Sequence, residues 1–399
     1  MQTMSPALPR ELLDDILSDA DLTDADYARL CLASRDLLSL ARQRLYHTLD
    51  IVIEDTPYGP EPDRVLVAPA SEAQVLHVVA NSTLVDLVRH VEFSFSFMFE
   101  PIDSPAAHRD SATPEDLLSL ALGACPHINA VSSIEWWSAN YTPVLHLHRP
   151  HLRELHGVAL DAEVWDMLAF QPGLKRLTCL SDDEDIASSG CAPPAGCEPP
   201  FRLKFLRLQS MFFTIQSAAI NALFTCSLDS LVTLDMPFDP RLLRDFSVFT
   251  SLRSLELHLQ LMNSRDGHPR MSPQEALPHL CAALSSLTQR NTLQSLEIKS
   301  RMSDLPELDD VLSSSAFGRA LPASLKKLGI VFPLKLRHVE TLELGAPQVR
   351  LCALGHNLDI DSRERDASCL GGTREDDSDP AVSKWCRARG ITEYCIDYY

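Results

Sequence analysis

The chain has 399 residues, 45% of them hydrophobic, and its 35 lysines and arginines against 55 aspartates and glutamates leave a formal charge of −20. Such a surplus repels a phosphate backbone and argues against nucleic acid as a partner. No run of about 18 apolar residues exists to cross a bilayer, and no basic amphipathic stretch favours its surface. Met1–Leu17 carries Pro6, Pro9, Glu11, Asp14 and Asp15 where a secretory leader needs basic and then apolar residues, so a cytoplasmic or nuclear protein is expected. The length suits a small module joined to a large one, or an elongated repeat array. Eleven cysteines are scattered singly, without the spacing of a disulfide scaffold, and are expected to be reduced. The glycosylation patterns at Asn81-Ser82-Thr83 and Asn140-Tyr141-Thr142 are therefore expected to stay unmodified.

Three short helices are expected first. Pro9 suits a first turn, Leu12, Leu13, Ile16 and Leu17 recur on one face, and Thr23 with Asp26 forms a capping box ahead of Tyr27, Leu30 and Cys31. Ser34 caps a third helix whose stripe is Leu37, Leu38, Ala41 and Leu45. Three such helices cannot bury much alone, as befits a module completed by a partner. Residues 5–50 form this module, and Pro57, Gly59, Pro60 and Pro62 mark a linker over 51–70.

The run Leu8-Pro9-Arg10-Glu11-Leu12-Leu13, then Ile16-Leu17, Leu30, Leu32, Ser34 and Arg35, resembles an F-box. The resemblance implies a helical docking module that joins a recognition domain to a cullin ubiquitin ligase through the Skp adaptor. Position by position it implies Leu8, Pro9, Leu12, Ile16, Leu30, Leu32, Ser34 and Leu37 at the adaptor, with Glu11 and Arg35 nearer the rim. Leu37 replaces the tryptophan usual after the serine-basic pair and offers less area and no indole donor, which lowers the expected adaptor affinity.

Beyond residue 70 a Leu-x-x-Leu-x-apolar phrase returns. Strong copies begin at Leu203, Leu231, Leu252, Leu293, Leu325 and Val339, and weaker ones at Leu152 and Leu174. The last two apolar positions of each copy flank a polar one, the period of a strand buried on one face. Ser71 with Gln74, Thr113-Pro114-Glu115-Asp116 and Ser272-Pro273-Gln274-Glu275 read as helix starts between such strands. Over roughly residues 84–355 the pattern resembles a leucine-rich-repeat solenoid, α/β in class, with parallel strands on a concave face and helices or loops outside. Regular repeats place Asn or Cys three residues after the last strand leucine; Met211, Asp239, Gln260, Arg301 and Pro333 stand there instead. An irregular array over 71–357 follows, similar to that of fungal F-box proteins. Residues 181–200 read as an insertion loop, 358–380 as an acidic segment without regular structure, and 381–399 as a capping segment.

Chemistry-bearing constellations are weak. His146 and His148, alternating in a strand beside His151 and His156, could ligate a metal, but Pro150 breaks the geometry and no metal or other cofactor is expected. Cys191 and Cys197 lack a second pair at zinc spacing. Asp359-x-Asp361 fails as a calcium loop, and Gly371-Gly372-Thr373 has no lysine to make a phosphate cradle.

The resemblances imply a non-catalytic substrate receptor of a Skp-cullin-F-box ubiquitin ligase. Its target, a protein of unknown identity, would meet the polar residues flanking the strand leucines: His156, Arg176, Arg207, Asp235, Glu256, His258, Glu297 and Lys299. The alternative is a leucine-rich-repeat scaffold whose N-terminal helices cap the array and never meet a ligase. The two differ in residues 8–40: adaptor binding requires exposed leucines there, and capping requires buried ones.

Overall fold

The computed structural model describes residues 12–13, 17, 22–33, 35–55, 66–97, 112–133, 141–181, 198–210, 217–238, 245–259, 273–289, 292–300, 315–331, 350–357 and 392–396. Two compact units divide the chain, Met1–Val158 and Ala159–Tyr399.

In the first unit Leu12, Leu13 and Leu17 are helical, and α1 (Asp24–Ala33) and α2 (Arg35–Leu45) pack on each other. The capping box forms: the Asp26 amide donates to Thr23 Oγ1 at 3.3 Å, and the Asp26 carboxylate accepts from the Thr23 amide at 3.1 Å. Tyr27 donates its hydroxyl to the Leu17 carbonyl at 3.0 Å. Leu17, Leu40 and Ala41 are buried, and Leu30, Leu37, Leu38 and Leu45 half-buried. Leu12 and Leu32 are 48% and 90% exposed. Leu8, Pro9, Ile16 and Ser34 lie outside the described residues.

The sheet of this unit starts earlier than expected. Strand β1 (Thr48–Asp55), the two-residue β2 (Leu66–Val67) and the start of helix α3 (Pro69–Val79) occupy much of 51–70, which is therefore not a linker throughout. Leu49, Ile51 and Ile53 recur at every second position and are at most 1% exposed, so period-two burial outweighs the nearby prolines. Ser71 does not cap α3. Pro69 opens that helix, and the buried Ser71 Oγ instead accepts from the Val52 amide at 3.0 Å, fastening α3 to β1. After α4 (Ser82–Val85) come β3 (His90–Phe97), α5 (Pro114–Ala124), β4 (Ala130–Ser133), α6 (Tyr141–His148) and β5 (Glu154–Val158). Thr113 and Asp116 close the expected capping box on α5. The strand order is β2-β1-β3-β4-β5, antiparallel at β2 and parallel elsewhere. Leu49, Val91, Val131 and Leu155 stand opposite one another with no solvent exposure.

The second unit repeats the same step. It runs α7 (Ala162–Leu168), β6 (Arg176–Ser181), β7 (Phe205–Ser210), α8 (Ser217–Ser227), β8 (Thr233–Pro237), β9 (Ser254–Leu259), α9 (Pro273–Ser286), β10 (Ser295–Ser300), α10 (Ser315–Ala320), β11 (Lys327–Val331), β12 (Arg350–Asn357) and β13 (Thr392–Ile396). The strands lie side by side in chain order and pair in parallel. Leu177, Leu206, Leu234, Leu255, Leu296 and Leu328 are opposite one another and at most 1% exposed. The leucines that open the phrases, from Leu174 and Leu203 to Leu325, are equally buried. Each such side chain contributes about 2 kcal/mol of burial, repeated at every strand.

The phrase at Val339, Leu342 and Leu344 lies outside the described residues; the residue opposite Leu328 is Leu351, reached through a register shift at Leu328/Gly329. Residues 182–197 and 358–380 also lie outside them, whereas Thr392–Ile396, within the segment expected to cap the array, adds a strand beside β12. Parallel strands in chain order with helical or irregular returns make each unit α/β and compatible with a solenoid-like fold. Among the described residues no helix is long and apolar enough to cross a membrane.

Candidate functional site

Because alternate residues of a strand face opposite ways, the leucine ladder fixes which side chains point away from the core. In the second unit Arg207, Asp235, Glu256 and Glu297 stand opposite one another on β7 to β10, and His258 pairs in register with Lys299 one step further along. Six polar side chains from four strands thus meet in one patch.

Asp235 anchors it. Its carboxylate, 4% exposed, accepts from Arg207 Nε at 2.5 Å and from His258 Nε2 at 2.9 Å. The same His258 nitrogen lies 3.1 Å from Glu256 Oε1, Lys299 donates to Glu256, and Lys299 Nζ is 3.4 Å from Glu297. Burial alone would raise the Glu256 carboxyl, but hydrogen bonds from His258 and Lys299, with their charges, hold it at about 2. Burial would lower His258, yet its bonds to Asp235 and Glu256 leave it raised. Lys299 is raised likewise, against burial, by Glu256 first and then by Glu297 and Asp235. The network is therefore charged and closely matched in sign.

Gly329 borders the patch for a steric reason. A Cβ there would meet Glu297 Cγ at 3.2 Å, so the missing side chain leaves Glu297 its place beside Lys299. Beside Arg207 the Phe205 ring lies under Arg176, whose guanidinium carbon is 4.5 Å from the ring centroid, with that of Arg207 at 5.9 Å. Seven of the eight residues expected to face a target, Arg176 among them, thus fall on neighbouring strands of one sheet. Phe205 was missed, although an aromatic two residues before a strand arginine shares its face.

His156 belongs to the first unit, 3.5 Å from Glu154 and opposite Ser132. Its neighbours were not expected either: His90 Nε2 and Ser132 Oγ are 2.7 Å apart, and Ser94 donates to Asp50 at 2.7 Å. Burial, then the charges of His156 and His47, push His90 down to about 4, so it is neutral near pH 7. Glu92 is raised by burial and by Asp50. The alternation in His90-Val-Glu-Phe-Ser-Phe-Ser-Phe97 could have revealed this strand. Among the described residues the His90 side chain bonds only Ser132, so the pair lacks the orienting carboxylate of a nucleophilic triad.

His146 and His148 are not on a strand. Both sit in the last turn of α6, where His148 Nε2 meets Ser119 Oγ at 2.7 Å, because Tyr141–His148 winds as a helix that ends before Pro150. Asp235, Glu256 and His258 do bring three potential ligand atoms within 4.8 Å of one another. A metal ion there would have to displace Arg207 and Lys299 and take the imidazole nitrogen shared by the two carboxylates, so the protein's own cations already meet the charge. Cys31, Cys125, Cys179, Cys226 and Cys281 are free thiols; burial pushes Cys125 up to about 11 and raises Cys179 further, which suppresses the reactive thiolate. Cys191 and Cys197 lie outside the described residues.

The paired charges and the stacked aromatic on neighbouring strands of the second unit offer hydrogen-bond donors, acceptors and an aromatic face to a polar surface. Comparison with protein-family models and with curated proteins finds no match.

Proposed function

We propose that the chain is the substrate-recognition subunit of a Skp-cullin-F-box type ubiquitin ligase. The N-terminal helices bind the Skp adaptor, and through it a cullin, and the sheet faces hold a target protein. The chain itself performs no catalysis: by holding the target beside the ubiquitin-charged enzyme it raises effective concentration.

The observation that carries this reading is Leu32, 90% exposed on α1, with Leu12 at 48% on the preceding helical residues. Capping would bury these two positions, whereas adaptor docking requires them in water until the partner arrives, when each gains about 2 kcal/mol. Leu17, Leu40 and Ala41, buried within the module, keep its helices together in the free chain. Reading the chain-ordered strands as irregular leucine-rich repeats is supported by the aligned phrase leucines.

The test is capture of purified Skp adaptor by the full chain and by a Leu12→Asp, Leu32→Asp variant. Both side chains are exposed, so the fold persists and the circular-dichroism melt stays unchanged. Capture by the native chain and its loss in the variant is the expected result, since each carboxylate would have to be desolvated at the interface. Equal recovery from both, or none from either, would leave the scaffold reading ahead.

A further inference from the structure

The residues that lead into the strands of the second unit lie side by side, because each backbone bonds to the one before it. The amide of Lys204 donates to the Lys175 carbonyl, Val232 to Lys204, Arg253 to Val232, Gln294 to Arg253 and Lys326 to Gln294. These bonds set Lys175, Lys204, Arg253 and Lys326 in one row across the start of the sheet, with Arg202 just before the row and Lys327 just after it. All six side chains are exposed, and among the described residues none has an ion pair. The described approaches to these strands contain three acidic residues, Glu198, Asp229 and Asp245; Asp229 accepts from Thr250 Oγ1 at 3.2 Å and Asp245 from the Ser247 amide at 2.8 Å. On a chain of formal charge −20 this edge is basic, and among the described residues its charges are unpaired.

We propose that this edge binds an acidic polypeptide segment of a partner protein. From β6 to β11 it spans five inter-strand steps, about 24 Å at the usual spacing, which an extended chain covers in about seven residues. A segment of that length stays within the edge. A polynucleotide would run past it, beyond a Debye length of about 10 Å, over a protein whose remaining charge repels phosphate. The site is separate from the N-terminal helices and does not rest on the ligase reading; if that reading holds, the edge supplies the target class.

The probe is fluorescein-labelled octaglutamate, titrated against the full chain by anisotropy, with octaglutamine and an eight-nucleotide single strand as comparisons. Saturable octaglutamate binding is expected at low salt, weakening steeply as salt rises, with none for octaglutamine. Lys175→Glu, Lys204→Glu and Arg253→Glu together should weaken it about tenfold or more. The corresponding triple alanine variant, which introduces no repulsion, should weaken it less but in the same direction. All three positions are exposed, so melts should not move. Absence of saturable binding, or binding undiminished in both triple variants, overturns the proposal. Tighter binding of the oligonucleotide overturns its assignment to a polypeptide. Adaptor capture should be the same for the native chain and the edge variants, so failure of either proposal is seen without the other.

Discussion

Asp235 shows how much of this protein's surface chemistry is settled by a single buried carboxylate. At 4% exposure it is tenable as an anion because Arg207 and His258 both donate to it, and His258 in turn reaches Glu256. The network makes stability depend on pH in two opposite ways. Glu256, ordinarily 4.5 and held at about 2, contributes stability that is fully present above about 4.5 and is lost as pH falls toward 2. His258, raised above its ordinary 6.5, contributes stability that is fully present below 6.5 and is lost as pH rises through its folded value. Between those limits both contributions are present. The urea midpoint of the native chain should therefore lose part of its advantage over Glu256→Gln below pH 4.5, and part of its advantage over His258→Gln above pH 6.5. Parallel midpoint profiles would show that the network does not couple to folding.

At the scale of the element, serines in the returns do work that asparagines do in regular repeats. Ser227, at the end of α8 and without exposure, accepts from the Leu203 amide at 3.1 Å, and Ser230 donates to the Leu203 carbonyl at 2.8 Å. Ser286 of α9 likewise accepts from the Phe246 amide at 2.9 Å, as Ser71 does from Val52. Backbone groups leading into or lying within the sheets are thus satisfied from the helices. Ser227→Ala should cost about 1–3 kcal/mol, since it orphans a buried amide, read as a lower urea midpoint. Thr225→Ala, at an exposed position of α8 whose hydroxyl donates only to the Asn221 carbonyl of the same helix, supplies the comparison and should cost less.

At the scale of the molecule, each inner strand of the second unit pairs with two strand neighbours, so stability is expected to accumulate strand by strand. Leu296→Ala leaves a cavity between Leu255 and Leu328 and should cost about 3 kcal/mol. Hydrogen exchange should then quicken in β9, β10 and β11, while β1 and β3 of the other unit keep their protection. Uniform quickening in every strand would contradict a nearest-neighbour array.

The strands β6 to β11 and their shared face were legible in the chain because the phrase couples a buried leucine period to a polar residue at fixed offset, and register follows once the leucines align. Arg207, Asp235, Glu256 and Glu297 could be placed on one face by that rule alone. The capping boxes at Thr23 and Thr113 were legible for the same reason, being local. What the residues by themselves did not disclose depends on long-range pairing: β1 begins before the prolines at 57–62, Ser71 holds Val52 rather than its own helix, Leu351 stands opposite Leu328, and His146 sits in the last turn of a helix. Alternation names a face; only the packed sheet decides which charges on that face meet, and which lysines line up along its edge.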